Sequence, residues 1–437
     1  MNPGNTGGSE RTLGARGAHW SERHRPNRNA FLTDCVYSLC MKRIWNRFYD
    51  PGVPSTIEYQ DETLPAMLER VASEHGDEPA TLFQGKQLTY AELQGQVESL
   101  AGGLIDAGFA PGERIAIMMP NLPQFPIAFY GALRAGLVVV PTNPLYTPRE
   151  LAHQLRDSGS SAIITLPQLL GKVAPAIRGT DVRWIVLANV ADALPWPARL
   201  AFRVKTRFSH GSTPNEQVPD GDEQGSTTLE GVAGDSRVTV KSWKDLIGSH
   251  STHPARPSAP DDLAVLQYTG GTTGTSKAAM LTHRNLLANA AQVFSWQGTV
   301  AGPMRTLCAT PFFHVYGLTV GMNMTVFGHG LMILLPRFEP EAVRDAIRKL
   351  RPNLFPGVPT MYVALNALPG AKPADFNSLQ VCISGASALP AAVQHDFSGR
   401  APDARLVEGY GLTGARPVTH CNPVGGQQSR GIGLPLS

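Results

Sequence analysis

LAVLQYTGGTTGTSKAAMLTHRNLLANAAQVF (residues 263–294) joins a short apolar run, a glycine- and hydroxyl-rich loop, and a segment with helical apolar spacing. LAVLQ (263–267) reads as a strand and LTHRNLLANAAQVF (281–294) as an amphipathic helix. Between them, Gly270, Gly271 and Gly274 let the backbone approach a polyanion closely. Thr269, Thr272, Thr273, Thr275 and Ser276 offer hydroxyl donors, and Lys277 adds a positive charge. The combination predicts a phosphate cradle. It is not a Walker A loop, because no Gly-Lys-Ser/Thr follows at the required spacing. A flexible Gly/Thr/Ser linker is the competing reading, and it gives no reason for the flanking strand and helix.

Outward from this loop, helices alternate with short apolar strands from about residue 57 onward. Leu93, Val97, Leu100 and Leu104 repeat at helical spacing, and residues 123–135 and 340–349 read as helices. Strands are expected at 115–119, 137–141, 162–165, 184–187, 331–335, 354–358 and 380–384. This order predicts stacked α/β subdomains with largely parallel sheets. Four segments then fall at strand ends: PFFHVYG (311–317), PGVPT (356–360), SGASALP (384–390) and EGYGLT (408–413). In open α/β folds such loops converge at the carboxyl edge of the sheet, where ligands bind. Taken alone, His314 reads equally well as a satisfied core histidine.

The 437 residues suffice for about three domains or one large α/β body. With 42% hydrophobic residues, wholesale disorder is excluded, and the 44 glycines and 36 prolines signal many turns. A net charge of +3 gives no reason to expect nucleic acid. Five cysteines (Cys35, Cys40, Cys308, Cys382, Cys421) form no CxxC pair, so neither a disulfide framework nor a zinc site follows from them, and a reduced, cytoplasmic setting is the expectation. The uncharged stretch Val315–Pro336 is long enough to cross a bilayer. Its four glycines, Asn323 and His329 favour a buried helix followed by a strand. RLAFRVKTRF (199–208) interleaves basic and apolar residues, either as a contact with an anionic membrane surface or as a solvated edge, and 209–238 reads as a surface loop or linker. Residues 1–40 read as a disordered or untranslated extension before Met41, and Asp34 interrupts any signal-peptide core.

MMPNLPQFPIAFYGALRAGLVVVPTNPLYTPRELAHQLRDSGSSAII (118–164), LQYTGGTTGTSKAAMLTHRNLLAN (266–289), PFFHVYG and EGYGLT, in this order, resemble the AMP-forming acyl-CoA ligases of the adenylate-forming superfamily. The likeness is greatest to the bacterial long-chain fatty acid–CoA ligases, through NPLYTPREL (143–151) and the TGG form of the loop. It implies an α/β fold over residues 41–437, the large N-terminal domain of these enzymes. That domain has stacked mixed or parallel sheets, flanking helices and a partial β-barrel, and the C-terminal domain is expected to be missing from residues 1–437. It also implies a two-step reaction of a fatty acid with ATP, Mg2+ and CoA, releasing AMP and pyrophosphate.

By the same resemblance, Thr269, Gly270, Gly271, Thr272, Thr273, Gly274, Thr275 and Lys277 form the phosphate-binding set, and Thr413 approaches the α-phosphate. Gly385, Ala386, Tyr410 and Gly411 frame the adenine, with Glu408 and Gly409 in the same nucleotide segment. His314 borders the acyl site near the carboxylate, and Phe312, Val315, Gly317 and Val358 line the tail pocket. The catalytic candidates are His314, Thr413 and Lys277, and Thr272 is the candidate for Mg2+. A homodimer and peripheral contact with the inner face of the cell membrane stay open.

Three departures bear on activity. The family motif Tyr-Gly-Leu-Thr-Glu has Gly414 in place of its metal-binding Glu, followed by Ala415 and Arg416. Loss of such an electrostatic partner costs roughly 10²–10³ in rate. Lys277 precedes Ala278 where the family has Gly. The chain stops at GIGLPLS (431–437), where the family continues with a ribose-binding Asp, a hinge and a smaller domain carrying an adenylation Lys. The expectation is an impaired ligase. The alternatives are a non-catalytic acyl- or nucleotide-binding remnant, or a ligase for an aryl or medium-chain acid.

Overall fold

The structure is a computed structural model that describes residues 43–196, 227–228, 237–248, 253–269, 276–298, 300–415, 417–425 and 431–437. A boundary falls between Arg47 and Phe48, and the account below concerns the unit Phe48–Ser437. The chain opens with α1 (Leu64–Glu74), β1 (Pro79–Phe83), β2 (Lys86–Thr89) and α2 (Tyr90–Asp106). It then lays down β3 (Arg114–Met118), α3 (Gln124–Arg134), β4 (Val138–Pro141), α4 (Pro148–Ser158), β5 (Ser160–Thr165), α5 (Leu170–Ala176) and β6 (Trp184–Leu187). After β7 (Thr227–Thr228), β8 (Thr239–Ser242) and α6 (Trp243–Gly248) come β9 (Leu263–Thr269), β10 (Lys277–Thr282) and α7 (His283–Trp296). The last third holds β11 (Arg305–Cys308), α8 (Met324–Phe327), β12 (Leu331–Leu334), α9 (Pro340–Leu350), β13 (Leu354–Gly357) and α10 (Pro359–Asn366). It closes with β14 (Val381–Ser384), α11 (Ala391–Arg400), β15 (Arg405–Tyr410), β16 (His420–Cys421) and β17 (Leu434–Pro435).

Two sheets result. One has the order β10-β9-β4-β3-β5-β6-β8-β7 and the other β17-β16-β15-β14-β13-β11-β12-β1-β2. Neighbours are parallel throughout the middle of each sheet, and antiparallel strands close both ends. The antiparallel corner β15-β16-β17 is all that represents the expected partial barrel among the described residues.

Side-chain alternation along the strands sorts the core into layers. Ile115 and Ile117 face inward with Cys308, Met332 and Leu334 of the other sheet, and α1–α3 and α7 fill the space between. Ala116 and Met118 face outward onto α4 and α5, while Leu307 and Ile333 face outward onto α9–α11. Because both faces are covered, β4, β5, β12 and β14 are buried along their whole length, as parallel strands between helices require.

Local signals start the helices that matter for the site. Thr147 caps α4 in a reciprocal box with Glu150, Pro148 takes the first helical position, and Gly159 ends the helix at φ +58°. Thr282 and Asn285 form the same box at the start of α7. Val315–Pro336 is a buried π-helical turn (317–323) running into α8 and β12, and no described helix is long and apolar enough to cross a membrane. The segment 199–208 and residues 1–40 lie outside the described residues.

Candidate active site at the carboxyl edge of the larger sheet

PFFHVYG leaves β11, PGVPT leaves β13, SGASALP leaves β14, and EGYGLT spans the end of β15. These four strands are parallel members of one sheet, so all four segments lie at its carboxyl edge, as the sequence predicts.

The PFFHVYG loop is fixed by one buried asparagine. Asn121 donates through Nδ2 to the carbonyls of Cys308 and Thr310, each at 2.9 Å, and its Oδ1 accepts from the Phe312 N–H at 2.8 Å. Phe312 is fully buried and packs obliquely on Phe125, and Val315 and Gly317 are buried beside it. From the other sheet, Gln267 of β9 donates to the Phe313 carbonyl at 3.0 Å.

His314 is solvent-accessible at the surface of this loop, yet the protein around it desolvates the ring enough to pull its pKa below the ordinary histidine value. Its Nδ1 accepts from the Tyr316 N–H at 3.2 Å, so the neutral ring carries its proton on Nε2. Tyr316 is buried, and its hydroxyl donates to the Ile383 carbonyl on β14 at 2.7 Å.

Gly385 follows β14 and lies against that tyrosine: a Cβ there would come 2.9 Å from the ring. Its N–H donates to the Gly357 carbonyl at 3.1 Å, which couples the SGAS segment to β13 and to Val358 just beyond it. Ala386 is exposed with φ +68°, a left-handed conformation that a non-glycine residue rarely adopts. Gly409 is buried and Tyr410 exposed, and the Glu408 carboxylate accepts from the Leu389 N–H at 3.2 Å. Gly411 is obligatory on steric grounds, since a Cβ there would sit 1.5 Å from the Pro417 carbonyl oxygen. Asn289 of α7 holds the return of this loop, donating to the Val418 carbonyl at 2.7 Å and accepting from its N–H at 2.9 Å.

The phosphate-loop candidate differs from the strand-then-helix expectation. Lys277–Thr282 is a strand antiparallel to β9, with Lys277 opposite Thr269, and the helix starts only at His283. β9 and β10 are therefore the two stalks of a hairpin. The short apolar run AAML carries no periodicity that separates a strand from the first turn of a helix, and long-range pairing decides it. Ser276 Oγ donates to the Thr269 carbonyl at 2.6 Å across the mouth of the hairpin. Helix α4 braces both stalks: the Tyr268 hydroxyl donates to Asp157 at 2.5 Å, and His153 Nε2 donates to the Ser276 carbonyl at 3.1 Å. Lys277 is exposed, and β10 runs beside the turn Thr413–Ala415. Gly270, Gly271, Thr272, Thr273, Gly274 and Thr275, and likewise Arg416, lie outside the described residues.

Among the described residues, the segment Glu408–Ala415 does not complete a carboxylate site for Mg2+. Residues 409–415 contain no acid, and Glu408 is engaged with Leu389. Among the described residues, no atom lies within 4 Å of a Cβ built at position 414. Asn121, His153, Asp157 and Asn289 were not singled out from the sequence. The one signal for Asn121 is a lone amide at the end of an apolar strand, and the others look like ordinary helix-surface polarity.

A family model described as AMP-binding enzyme matches residues 68–437. The chain is 37% identical over 396 residues to a long-chain-fatty-acid–CoA ligase of Bacillus subtilis (strain 168), covering 90% of this chain and 67% of that protein. It is 34% identical over 406 residues to a long-chain-fatty-acid–CoA ligase of Escherichia coli O6:H1, covering 91% and 68%. Among solved structures, it is similar to a long-chain-fatty-acid-CoA ligase from Archaeoglobus fulgidus with a TM-score of 0.71, 24% identity, and coverage of 89% of this chain and 72% of that one. A benzoate CoA ligase from Burkholderia xenovorans LB400 matches with a TM-score of 0.69, 23% identity, and coverage of 86% and 66%. With its sequence matched from residue 68 to the last residue and its loops ordered along one sheet edge, the chain belongs to the AMP-binding enzyme family.

Proposed function

We propose that the chain belongs to the acyl-CoA-forming branch of this family and activates a long-chain fatty acid. The carboxylate oxygen attacks the α-phosphorus of ATP, the bond to the bridging oxygen of the β-phosphate breaks, and pyrophosphate leaves. The CoA thiol then loses its proton and attacks the acyl carbon, forming the thioester and expelling AMP. The observation that carries this reading is the alignment of four strand-end loops along one sheet edge, with the Lys277 hairpin tied to the first of them through Gln267. The names of the bacterial relatives support the long-chain acid.

In this reading, the Nε2–H of neutral His314 holds the substrate carboxylate, and Lys277 and the hairpin backbone hold the phosphates. Thr413 approaches the α-phosphate, and Gly385, Ala386, Tyr410 and Gly411 frame the adenine. Phe312, Val315, Gly317 and Val358 border the acyl tail. Catalysis is by positioning and charge complementarity, with no protein nucleophile. Gly414 offers no carboxylate to a metal ion, and adenylation by this chain is slow in consequence.

The test is hydroxamate trapping of the acyl-adenylate, run with long-chain, medium-chain and aryl acids on the wild-type chain and on Gly414→Glu. The expected result is adenylation that is strongest with the long-chain acid and rises roughly 10²–10³-fold in the variant. No described residue stands in the way of the larger side chain at position 414. Equal trapping of all three acids overturns the substrate assignment, and no gain in Gly414→Glu overturns the account of the slow rate.

A further inference from the structure

We propose that His75, Glu78 and His329 form a binding site for one divalent transition-metal ion of the zinc type, separate from the active-site edge. Among the described residues, these three gather metal-type donors, with ligand atoms all within 4.8 Å of one another. His75 Nδ1 lies 2.9 Å from one Glu78 carboxylate oxygen and His329 Nδ1 lies 3.0 Å from the other. Zinc bonds of about 2.0–2.2 Å to nitrogen and oxygen place tetrahedral neighbours roughly 3.3 Å apart, so the two imidazole–carboxylate spacings widen by a few tenths of an ångström, while the wider donor pairs, up to 4.8 Å apart, close by as much as about 1.5 Å. Two imidazoles and a carboxylate suit zinc and its neighbours, whereas Mg2+ and Ca2+ prefer oxygen-only sets. The rings are stacked, with centroids 3.8 Å apart and planes 2° from parallel, so binding requires each ring to tilt toward the shared ion. Both rings and the carboxylate are partly exposed, which leaves room for that tilt and for water as the fourth ligand.

The backbone that carries the donors is fixed beforehand. His75 ends α1, with its N–H on the Val71 carbonyl, and the Glu78 N–H closes a turn onto the His75 carbonyl at 3.0 Å. His329 sits at φ +42° between Gly328 and Gly330, a conformation that histidine tolerates better than most residues. Buried Tyr90 ties the two segments together: its N–H donates to the Glu78 carbonyl at 2.9 Å and its hydroxyl to the Gly330 carbonyl at 2.7 Å. These segments enter the parallel strands β1 and β12 at their amino ends, so the trio lies on the sheet edge opposite the strand-end loops. A bound ion would staple residues 75–78 to residue 329 and leave the active-site edge untouched.

Zn2+ titration followed by calorimetry, and Co2+ titration followed by visible absorption, test the site. The full chain is used with Cys35→Ser and Cys40→Ser, which removes two thiols outside the described residues. One equivalent of Zn2+ is expected to bind, unaffected by a hundredfold excess of Mg2+, and Co2+ is expected to give a tetrahedral band. Loss of an outer-shell partner alone costs roughly 10–100-fold in metal affinity, so His329→Asn, His75→Gln and Glu78→Gln should each weaken binding at least about tenfold. The urea midpoint in chelator should stay at the wild-type value, and His75→Gln decides should His329→Asn disturb its turn. No saturable Zn2+ uptake, displacement by Mg2+, or uptake unchanged in the variants overturns the proposal.

Discussion

Replacing Gly385 by alanine tests whether the proposed nucleotide side and the proposed acyl side of the site are joined through a single ring. The added Cβ would lie 2.9 Å from Cε2 and Cζ of Tyr316, where ordinary contact begins near 3.4 Å. The ring has little room to yield. Tyr316 is 6% exposed, its hydroxyl donates to the Ile383 carbonyl, and its backbone N–H donates to His314 Nδ1. Gly385 is not among the residues with positive φ, so alanine brings no backbone strain and the effect is steric. Either the core absorbs the overlap, at about 1–3 kcal/mol for overpacking, or the ring swings and gives up a buried hydrogen bond worth about 1 kcal/mol. We expect about 2 kcal/mol lost in urea unfolding at unchanged m, together with reduced adenylation as His314 is displaced with its neighbour. Tyr316→Leu removes the opposing ring atoms, so in the double variant the penalty for alanine should shrink by more than about 1 kcal/mol. Additivity of the two single changes to within about 0.5 kcal/mol would refute the coupling.

Asn121→Ala removes three hydrogen bonds from the PFFHVYG loop and leaves the Phe312 N–H and two carbonyls unpaired, so destabilisation of at least about 3 kcal/mol is expected in chemical unfolding. A cost under about 1 kcal/mol contradicts the pinning role. Tyr268→Phe releases the β9 stalk from Asp157 and should raise KM for ATP more than it lowers kcat, with about 1 kcal/mol of lost stability; an unchanged KM argues against the brace. His283 is buried, its Nδ1 accepts from the Leu64 N–H at 3.3 Å, and desolvation pulls its pKa down to about 4. Unfolded, it takes its proton near 6.5, so between pH 6.5 and 4 the unfolded chain binds more protons and stability falls as the pH falls. The span corresponds to about 3 kcal/mol, and His283→Asn should flatten that part of the stability profile; an unchanged slope in the variant refutes the assignment.

What the sequence disclosed and what it withheld divide along the range of the interactions. Several parallel strands are legible because burial on both faces demands apolar runs, and VVVP, LMIL and VCIS are such runs, whereas β1, β8 and β11, whose runs are broken by Thr, Lys or Arg, are not among the expected strands. Their common edge followed from the strand-end motifs, since a parallel sheet presents every carboxyl end on one side. Strand β10 escaped because a short run such as AAML fits a strand or a helix, and its pairing with β9 settles the matter.

The residues that hold the site rigid escaped for a different reason. Asn121 reaches carbonyls 187 and 189 residues away, and Asn289 clamps Val418 from 129 residues away. A backbone carbonyl has no side-chain identity, so nothing at the receiving end of such a bond can be read from the chain. The proposed phosphate-binding motif is visible because its chemistry is local to ten residues. The asparagines that position its neighbours are invisible because each acts on peptide groups that any residue could supply. Loss of one of these asparagines should therefore disturb the site as severely as loss of a motif residue, although no motif contains it.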